Sequence, residues 1–241
     1  MSRKIACVQQ NLQKCELAHI ELINNLEGLE NYLCLIQEPY KRRNRLVNIP
    51  TGATCIPSPQ VVEGARAAVY ASEGCRLVEL AHLCSRDSAV GLLNISGSRV
   101  VVASLYLDVN LVVNQAWIAD LFAEADKYGC PILLGMDSNA HSRLFGPTQN
   151  SRGDDLEELI ATFSLQVENR CHTPTYRRPG ASSCIDVTLT RDMAGRVMNW
   201  RINLKDWRCS PSLRLSARRQ RRASGLSMTS CHLNFSYTKL H

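Results

Sequence analysis

Gly135-Met136-Asp137-Ser138-Asn139-Ala140-His141-Ser142 follows the apolar run Pro131-Ile132-Leu133-Leu134. A short apolar run ending in a glycine reads as a buried strand, and the polar residues leave its end. An Asp, an Asn and a His just past a strand form an arrangement that chemistry uses, because strand ends are rigid and the loops beyond them expose their side chains. Taken singly, Asp137 or Asn139 is explained by a turn or a helix N-cap. The reading therefore depends on what else the chain puts at strand ends.

Other strand ends carry polar residues too. Lys4 to Gln9 reads as a buried strand with Asn11 at its end, and Leu17, Ile20, Ile23 and Leu26 give Leu12 to Leu29 a helical spacing. Asn31 to Gln37 is a second buried strand that stops at Glu38-Pro39-Tyr40, since Pro39 cannot donate to a sheet ladder. The basic run Lys41-Arg42-Arg43-Asn44-Arg45 comes next. Short strands are expected at 53–57, 66–71, 77–84, 89–95 and 99–106, with a hairpin at Gly97 and Tyr106 closing the last of them. Helices are expected at 114–128 and 154–163, and strands at 183–190, which includes Asp186, and at 198–204. The alternation lacks a regular βαβ rhythm, and no Gly-rich loop follows the first strand, which argues against a nucleotide cofactor. The pattern predicts an α/β fold of mixed sheets packed face to face with helices outside.

The chain has 241 residues, 45% of them apolar, which is enough for one sizeable core. No run approaches the roughly 18 apolar residues of a membrane span, and Met1 to Ala6 is too short for a signal peptide; an intracellular protein is expected. None of the 11 cysteines forms a C-x-x-C pair, so buried reduced thiols are expected rather than a zinc site. The net charge of +6 is unevenly spread. Seven of the 28 basic residues lie between Arg208 and His241, where there is no acidic residue, and the other 21 face all 22 acidic ones. This divides the chain into a near-neutral body, residues 1–207, and a basic Arg/Ser-rich tail, residues 208–241, that lacks the periodicity to pack and is expected to be disordered or the product of a frameshift.

Together Asn11, Glu38, Tyr106, Asp137, Asn139 and Asp186 suit phosphodiester cleavage. A hard divalent cation takes carboxylate oxygens. An attacking water needs a base or an orienting carboxylate, and the charge that develops on the phosphate needs donors such as Asn, His and Tyr.

Five ordered motifs carry a resemblance: Gln9-Gln10-Asn11-Leu12, Ile36-Gln37-Glu38-Pro39-Tyr40, Ser104-Leu105-Tyr106, Gly135 to Ser142, and Ile185-Asp186-Val187-Thr188. They resemble the endonuclease/exonuclease/phosphatase superfamily, and within it the apurinic-type endonuclease domain of non-LTR retrotransposons of the jockey kind. The resemblance implies a four-layer sandwich of two mixed sheets flanked by helices, magnesium or manganese as cofactor, DNA as partner and the nucleus as location. It implies that Glu38 binds the metal, Asn11 orients the metal-site carboxylate and phosphate, Tyr106 contacts the scissile phosphate, Asp137 aligns or deprotonates the attacking water, Asn139 donates to the phosphate, and Asp186 fills the family's acidic position. Lys41, Arg42, Arg43 and Arg45, with His141, are expected to contact DNA. Gln13 stands where repair members often carry Asp. The family's closing Ser-Asp-His, which follows a Trp and precedes an alternating strand, does not follow Trp200 or Trp207. The expectation is therefore a domain without its last strand and with impaired nicking, or, alternatively, an inactive nucleic-acid-binding fragment. Ser230-Cys231-His232, continued by Leu233, Phe235 and Tyr237, alternates like the missing strand and leaves His232 as a substitute for the catalytic histidine.

Overall fold

Two strands with uninterrupted apolar centres, β1 (Arg3–Asn11) and β2 (Tyr32–Gln37), pair in parallel and seed the first sheet. Every residue of β2 is buried, as expected of a parallel strand covered on both faces. The structure is a computed structural model and describes residues 3–57, 63–111, 115–169, 173–178, 181–203 and 228–235. Helix α1 (Glu16–Leu26) makes the crossover between the two strands. A small hairpin follows, β3 (Lys41–Arg42) and β4 (Arg45–Leu46), turned by Arg43 and Asn44 at positive φ. Then come β5 (Thr54–Ile56), β6 (Ala67–Ala71), β7 (Arg76–Glu79), β8 (Ser88–Ile95), β9 (Ser98–Tyr106), α2 (Gln115–Tyr128), β10 (Ile132–Asp137) and α3 (Ser151–Thr162). The chain continues through β11 (Gln166–Val167), β12 (Tyr176–Arg178), β13 (Ala181–Ser183), β14 (Asp186–Arg191), β15 (Val197–Asn203) and β16 (Met228–Phe235).

The first sheet has the order β15-β16-β1-β2-β6-β5, and the second β11-β14-β10-β9-β8-β7. Side chains that alternate along one strand enter different cores. Val100 and Val102 of β9 join Ile5, Leu33, Leu35, Val69 and Leu133 between the sheets. Val101, Ala103 and Leu105 meet Leu121 and Phe122 of α2 and Leu156 of α3 on the outer face. A third core lies under α1, where Leu22 and Leu26 meet Cys34, Ile36 and Tyr70. Helix, sheet, sheet, helix is the four-layer sandwich expected, and burial on both faces explains why β9 and β10 read as continuous apolar runs.

Several boundaries differ from the sequence reading. The helix expected at 12–29 is shorter, because Leu12 is a core residue and Gln13 and Lys14 turn the chain at positive φ. The run 77–84 is not one strand: β7 stops at Glu79 and a 3-10 turn covers Ala81–Leu83. The largest correction concerns the strand expected to be missing. Residues 228–235 form β16, antiparallel to both β1 and β15, with Cys7 opposite Cys231 and Gln9 opposite Thr229. The physical reason is that β1 and β15 both present unpaired backbone groups, which the alternating segment beginning near Ser230 satisfies. The remaining tail positions, 208–227 and 236–241, lie outside the described residues. Cys7, Cys34, Cys75, Cys130 and Cys184 are buried.

The core under α1 contains a titratable pair. His19 is fully buried, its ring stacks on Tyr70 with centroids 5.8 Å apart, and Nε2 lies 3.2 Å from the Tyr70 hydroxyl. Its Nδ1 has no partner among the described residues. Burial lowers the imidazole from its usual 6.5 to about 4. Below pH 6.5 the unfolded chain takes up a proton that the native chain refuses until about pH 4, so stability is lost as pH falls through that window. The loss is at most roughly 3 kcal/mol. Urea titrations at pH 7 and pH 4.5 should show it, and His19→Phe should flatten the difference; an equally steep acid loss in the variant would assign it elsewhere.

Candidate active site

The site is assembled where both sheets end on the same side. In the second sheet Asp137 closes β10, with Tyr106 of β9 on one flank and Asp186 of β14 on the other. In the first sheet Asn11 closes β1 opposite Gln37, and Glu38 leaves β2 at positive φ. A buried polar seam holds the two sheet ends in register. Gln9 Nε2 donates to the Met136 carbonyl at 3.0 Å, and its Oε1 accepts from the Thr188 hydroxyl at 2.8 Å. Gln37 Nε2 donates to the Ser104 hydroxyl and to the Gly135 carbonyl at 3.0 and 3.1 Å, while the Ser104 hydroxyl donates to the Ile36 carbonyl at 2.7 Å. A Cβ at Gly135 would stand 2.8 Å from Leu35 Cδ1 and 3.0 Å from Gln9 Oε1, so one of these side chains would have to shift to admit it. Buried polar networks of this kind fix a unique alignment where apolar contacts alone would let sheets slide, although Gln37 Oε1 has no partner among the described residues.

At the mouth of the seam Asn11 Nδ2 donates to Asp137 Oδ2 at 2.5 Å, and the Asn139 backbone N–H donates to Asp137 Oδ1 at 3.2 Å. Burial pushes the Asp137 carboxyl up to about 6, and the neighbouring Glu38 pushes the same way; the two donors oppose them. Asp186 is raised well above the usual carboxylate range, first by burial and then by Asp137. Its Oδ1 is buried with no partner among the described residues. Burial, with the Glu38 and Asp137 carboxylates, raises the Tyr106 phenol to about 12. Asn139, at positive φ, donates its Nδ2 to the Leu107 carbonyl at 2.9 Å.

One open cleft of about 610 Å³ is lined by Asn11, Glu38, Tyr106, Asp137, Asn139 and Asp186, together with His141 and Tyr176. All six strand-end residues singled out from the sequence thus meet in one place. His141 stands at the rim, with Nδ1 2.9 Å from the Thr148 hydroxyl. Lys41, Arg42, Arg43 and Arg45 lie on the β3–β4 hairpin, and a second hollow is lined by Lys14, Tyr40, Lys41, Arg43 and Asn44. Lys41 is partly committed, since its ammonium donates to the Gly64 carbonyl at 2.8 Å.

Sequence reading missed Lys14. Its ammonium lies 2.9 Å from Glu38 Oε1, and its backbone N–H donates to the Glu38 carbonyl at 2.8 Å. No group of three or more His, Cys, Asp or Glu side chains among the described residues forms a closed metal cage. Magnesium does not need one, because it is commonly held by one or two carboxylates with water and substrate phosphate completing the shell.

The family model described as endonuclease-reverse transcriptase matches residues 100–208. Among solved structures, the endonuclease domain of TRAS1, a telomere-specific non-LTR retrotransposon, superposes with a TM-score of 0.73 at 20% identity, over 96% of this chain and 98% of that one. An endonuclease/exonuclease/phosphatase family protein from Bacteroides thetaiotaomicron superposes with a TM-score of 0.66 at 12% identity, over 98% of this chain and all (100%) of that one. The fold is that of the endonuclease/exonuclease/phosphatase superfamily. A 3'-5' exonuclease from Neisseria meningitidis has the same endonuclease/exonuclease/phosphatase fold, with a TM-score of 0.60 at 14% identity over 97% of this chain and 100% of that one. No curated protein sequence matches the chain.

Within this endonuclease/exonuclease/phosphatase fold the register of β16 bears on His232. It pairs with Ala6, five residues before Asn11, which is roughly 16 Å along the strand. The cleft end of β16 is its start, at Met228 and Thr229. A role for His232 as the catalytic histidine does not fit that register. No helix among the described residues is long and apolar enough to cross a membrane.

Proposed function

We propose that the chain is a metal-dependent phosphodiesterase that nicks DNA, of the kind found in non-LTR retrotransposons, working slowly because no histidine among the described residues pairs with Asp186. The observation that carries this reading is the convergence of Asn11, Glu38, Tyr106, Asp137, Asn139 and Asp186 on one open cleft. Glu38 would hold a magnesium or manganese ion, with Asn11 beside it; when bound, the ion offsets charge on the phosphate oxygens. Asp137, held by Asn11 and the Asn139 N–H, aligns a water and accepts its proton. The Tyr106 hydroxyl and the second Asn139 amide proton donate to the scissile phosphate. An open cleft flanked by the basic β3–β4 hairpin suits a long polyanion better than a small phosphate ester, and Arg42, Arg43, Arg45 and His141 would meet the DNA backbone. A nuclear location, and association with a reverse transcriptase, belong to the same proposal.

The slow-turnover part rests on Asp186, whose Oδ1 finds no donor among the described residues. The family resemblance expects an imidazole there. The same observation favours a second reading, a DNA-binding domain that does not cut. Nicking of supercoiled plasmid by the full chain decides between them. Weak conversion to open circles is expected with magnesium or manganese, and none in excess chelator. Cleavage undiminished by chelator would overturn the metal requirement, and DNA binding with no cleavage in either metal would favour the second reading.

A further inference from the structure

Arg66 stands just before β6 and belongs to neither the cleft lining nor the basic hairpin, yet it joins three elements of the site. Its carbonyl accepts from the Glu38 backbone N–H at 2.7 Å. Its guanidinium forks onto Asp87, with Nη2 2.6 Å from Oδ2 and Nε on Oδ1. Nη1 donates to Asp108 Oδ2 at 2.6 Å. The guanidinium carbon lies 4.6 Å from the centroid of the Tyr106 ring, a cation–π distance. Asp87 also accepts the Tyr106 backbone N–H through its carbonyl at 2.8 Å, so the ring and its main chain are held by the same pair. The Arg66 side chain is only 13% exposed.

These contacts exclude the plainer reading of a surface arginine that binds DNA. The guanidinium faces two carboxylates and a ring, and its charge is more than offset where it stands. A planar fork satisfied by two acids is rigid, which a lysine ammonium is not. We infer that Arg66 is a positioning residue that sets the Tyr106 phenol in the cleft through its side chain while its backbone sets Glu38, so that the two functions are separable. This inference rests on the phosphodiesterase reading for its kinetic part only.

The separation is what the test reads. In the full chain Arg66→Met removes charge and fork, and leaves the Glu38 N–H to Arg66 carbonyl bond. Plasmid nicking by Arg66→Met should lose kcat by about 100-fold, as misplacement of a group by an ångström commonly costs, with KM and manganese affinity within about twofold of the parent. Arg66→Lys, which keeps charge but not geometry, should recover only part of kcat. With 3-fluorotyrosine at position 106, the fluorine resonance should move toward its unfolded position in Arg66→Met. The result that overturns the inference is an unmoved fluorine resonance, a kcat within threefold of the parent, or a fall in manganese affinity in step with kcat, which marks a general structural loss. If Arg66→Met does not fold, Asp108→Asn frees one arm of the fork and is read by the same resonance. If the parent chain does not cleave, the phosphodiesterase reading fails while the fluorine result still decides the positioning role.

Discussion

Asp137→Ala is expected to lower metal-dependent cleavage by about 10²- to 10⁴-fold, the range over which a positioned proton acceptor contributes. Both carboxylate oxygens are held, Oδ2 by the Asn11 amide and Oδ1 by the Asn139 N–H, so the group is fixed before substrate arrives. It is 2% exposed and burial lifts it to about 6, which leaves it a stronger base than a free aspartate while still ionised near neutrality. Asp137→Asn should be equally slow, because an amide keeps the shape and cannot take the proton. Stability should move the other way. Asp137 is among the causes that raise Asp186, so removing it relieves a buried pair of like groups and the melting temperature should hold or rise. Single-turnover nicking at saturating manganese, beside thermal melts, separates the two effects. A variant within threefold of the parent would remove Asp137 from the chemistry.

Gly153→Ala should destabilise the chain by about 3 kcal/mol, the upper part of the range for overpacking. Gly153 lies in the first turn of α3, and a Cβ there would overlap the His141 carbonyl oxygen, which is backbone and cannot rotate away. The crowding is built around a clamp. Asn150 caps α3 by accepting from the Gly153 N–H at 2.8 Å, accepts from the His141 N–H at 3.1 Å, and donates its own N–H to the His141 carbonyl at 3.0 Å. Helix α3 is thereby pressed onto the loop that follows Asp137. Urea unfolding measures the loss, and nicking should fall with it as the loop carrying Asn139 and His141 is displaced. A midpoint shift worth less than about 0.5 kcal/mol, the usual size of a neutral surface change, would mean that α3 can back away from the loop.

The six strand-end residues were legible because local patterning locates strand ends, and strands entering one sandwich tend to expose their functional groups at one end. Asp137 could be read this way although β10 runs on to include it. The seam was not legible. Gln9, Gln37, Ser104 and Thr188 were noticed only as parts of motifs, since their partners lie far away in sequence and depend on which strands face each other. Arg66 and Lys14 were hidden for the same reason, as ordinary charges whose acids arrive from other loops. The closing strand failed differently. Met228 to Phe235 alternates well enough, but the arginine-rich residues before it set the reading of the whole tail.

The pairing of Arg3 with Phe235 has a consequence for how the molecule is made. β1 waits for β16, a strand that lies far along the chain. Until residues 228–235 emerge, one edge of β1 can be satisfied only by water or by a neighbouring chain. Bringing β1 and β16 together closes a long loop of chain, an entropic cost that grows slowly with length but weighs on the folding rate. The half of the cleft that carries Asn11 therefore sits on a sheet completed late, and the half that carries Asp137 on one whose strands, residues 76–191, all precede β16. The cleft would then be complete only once β16 has emerged and paired with β1.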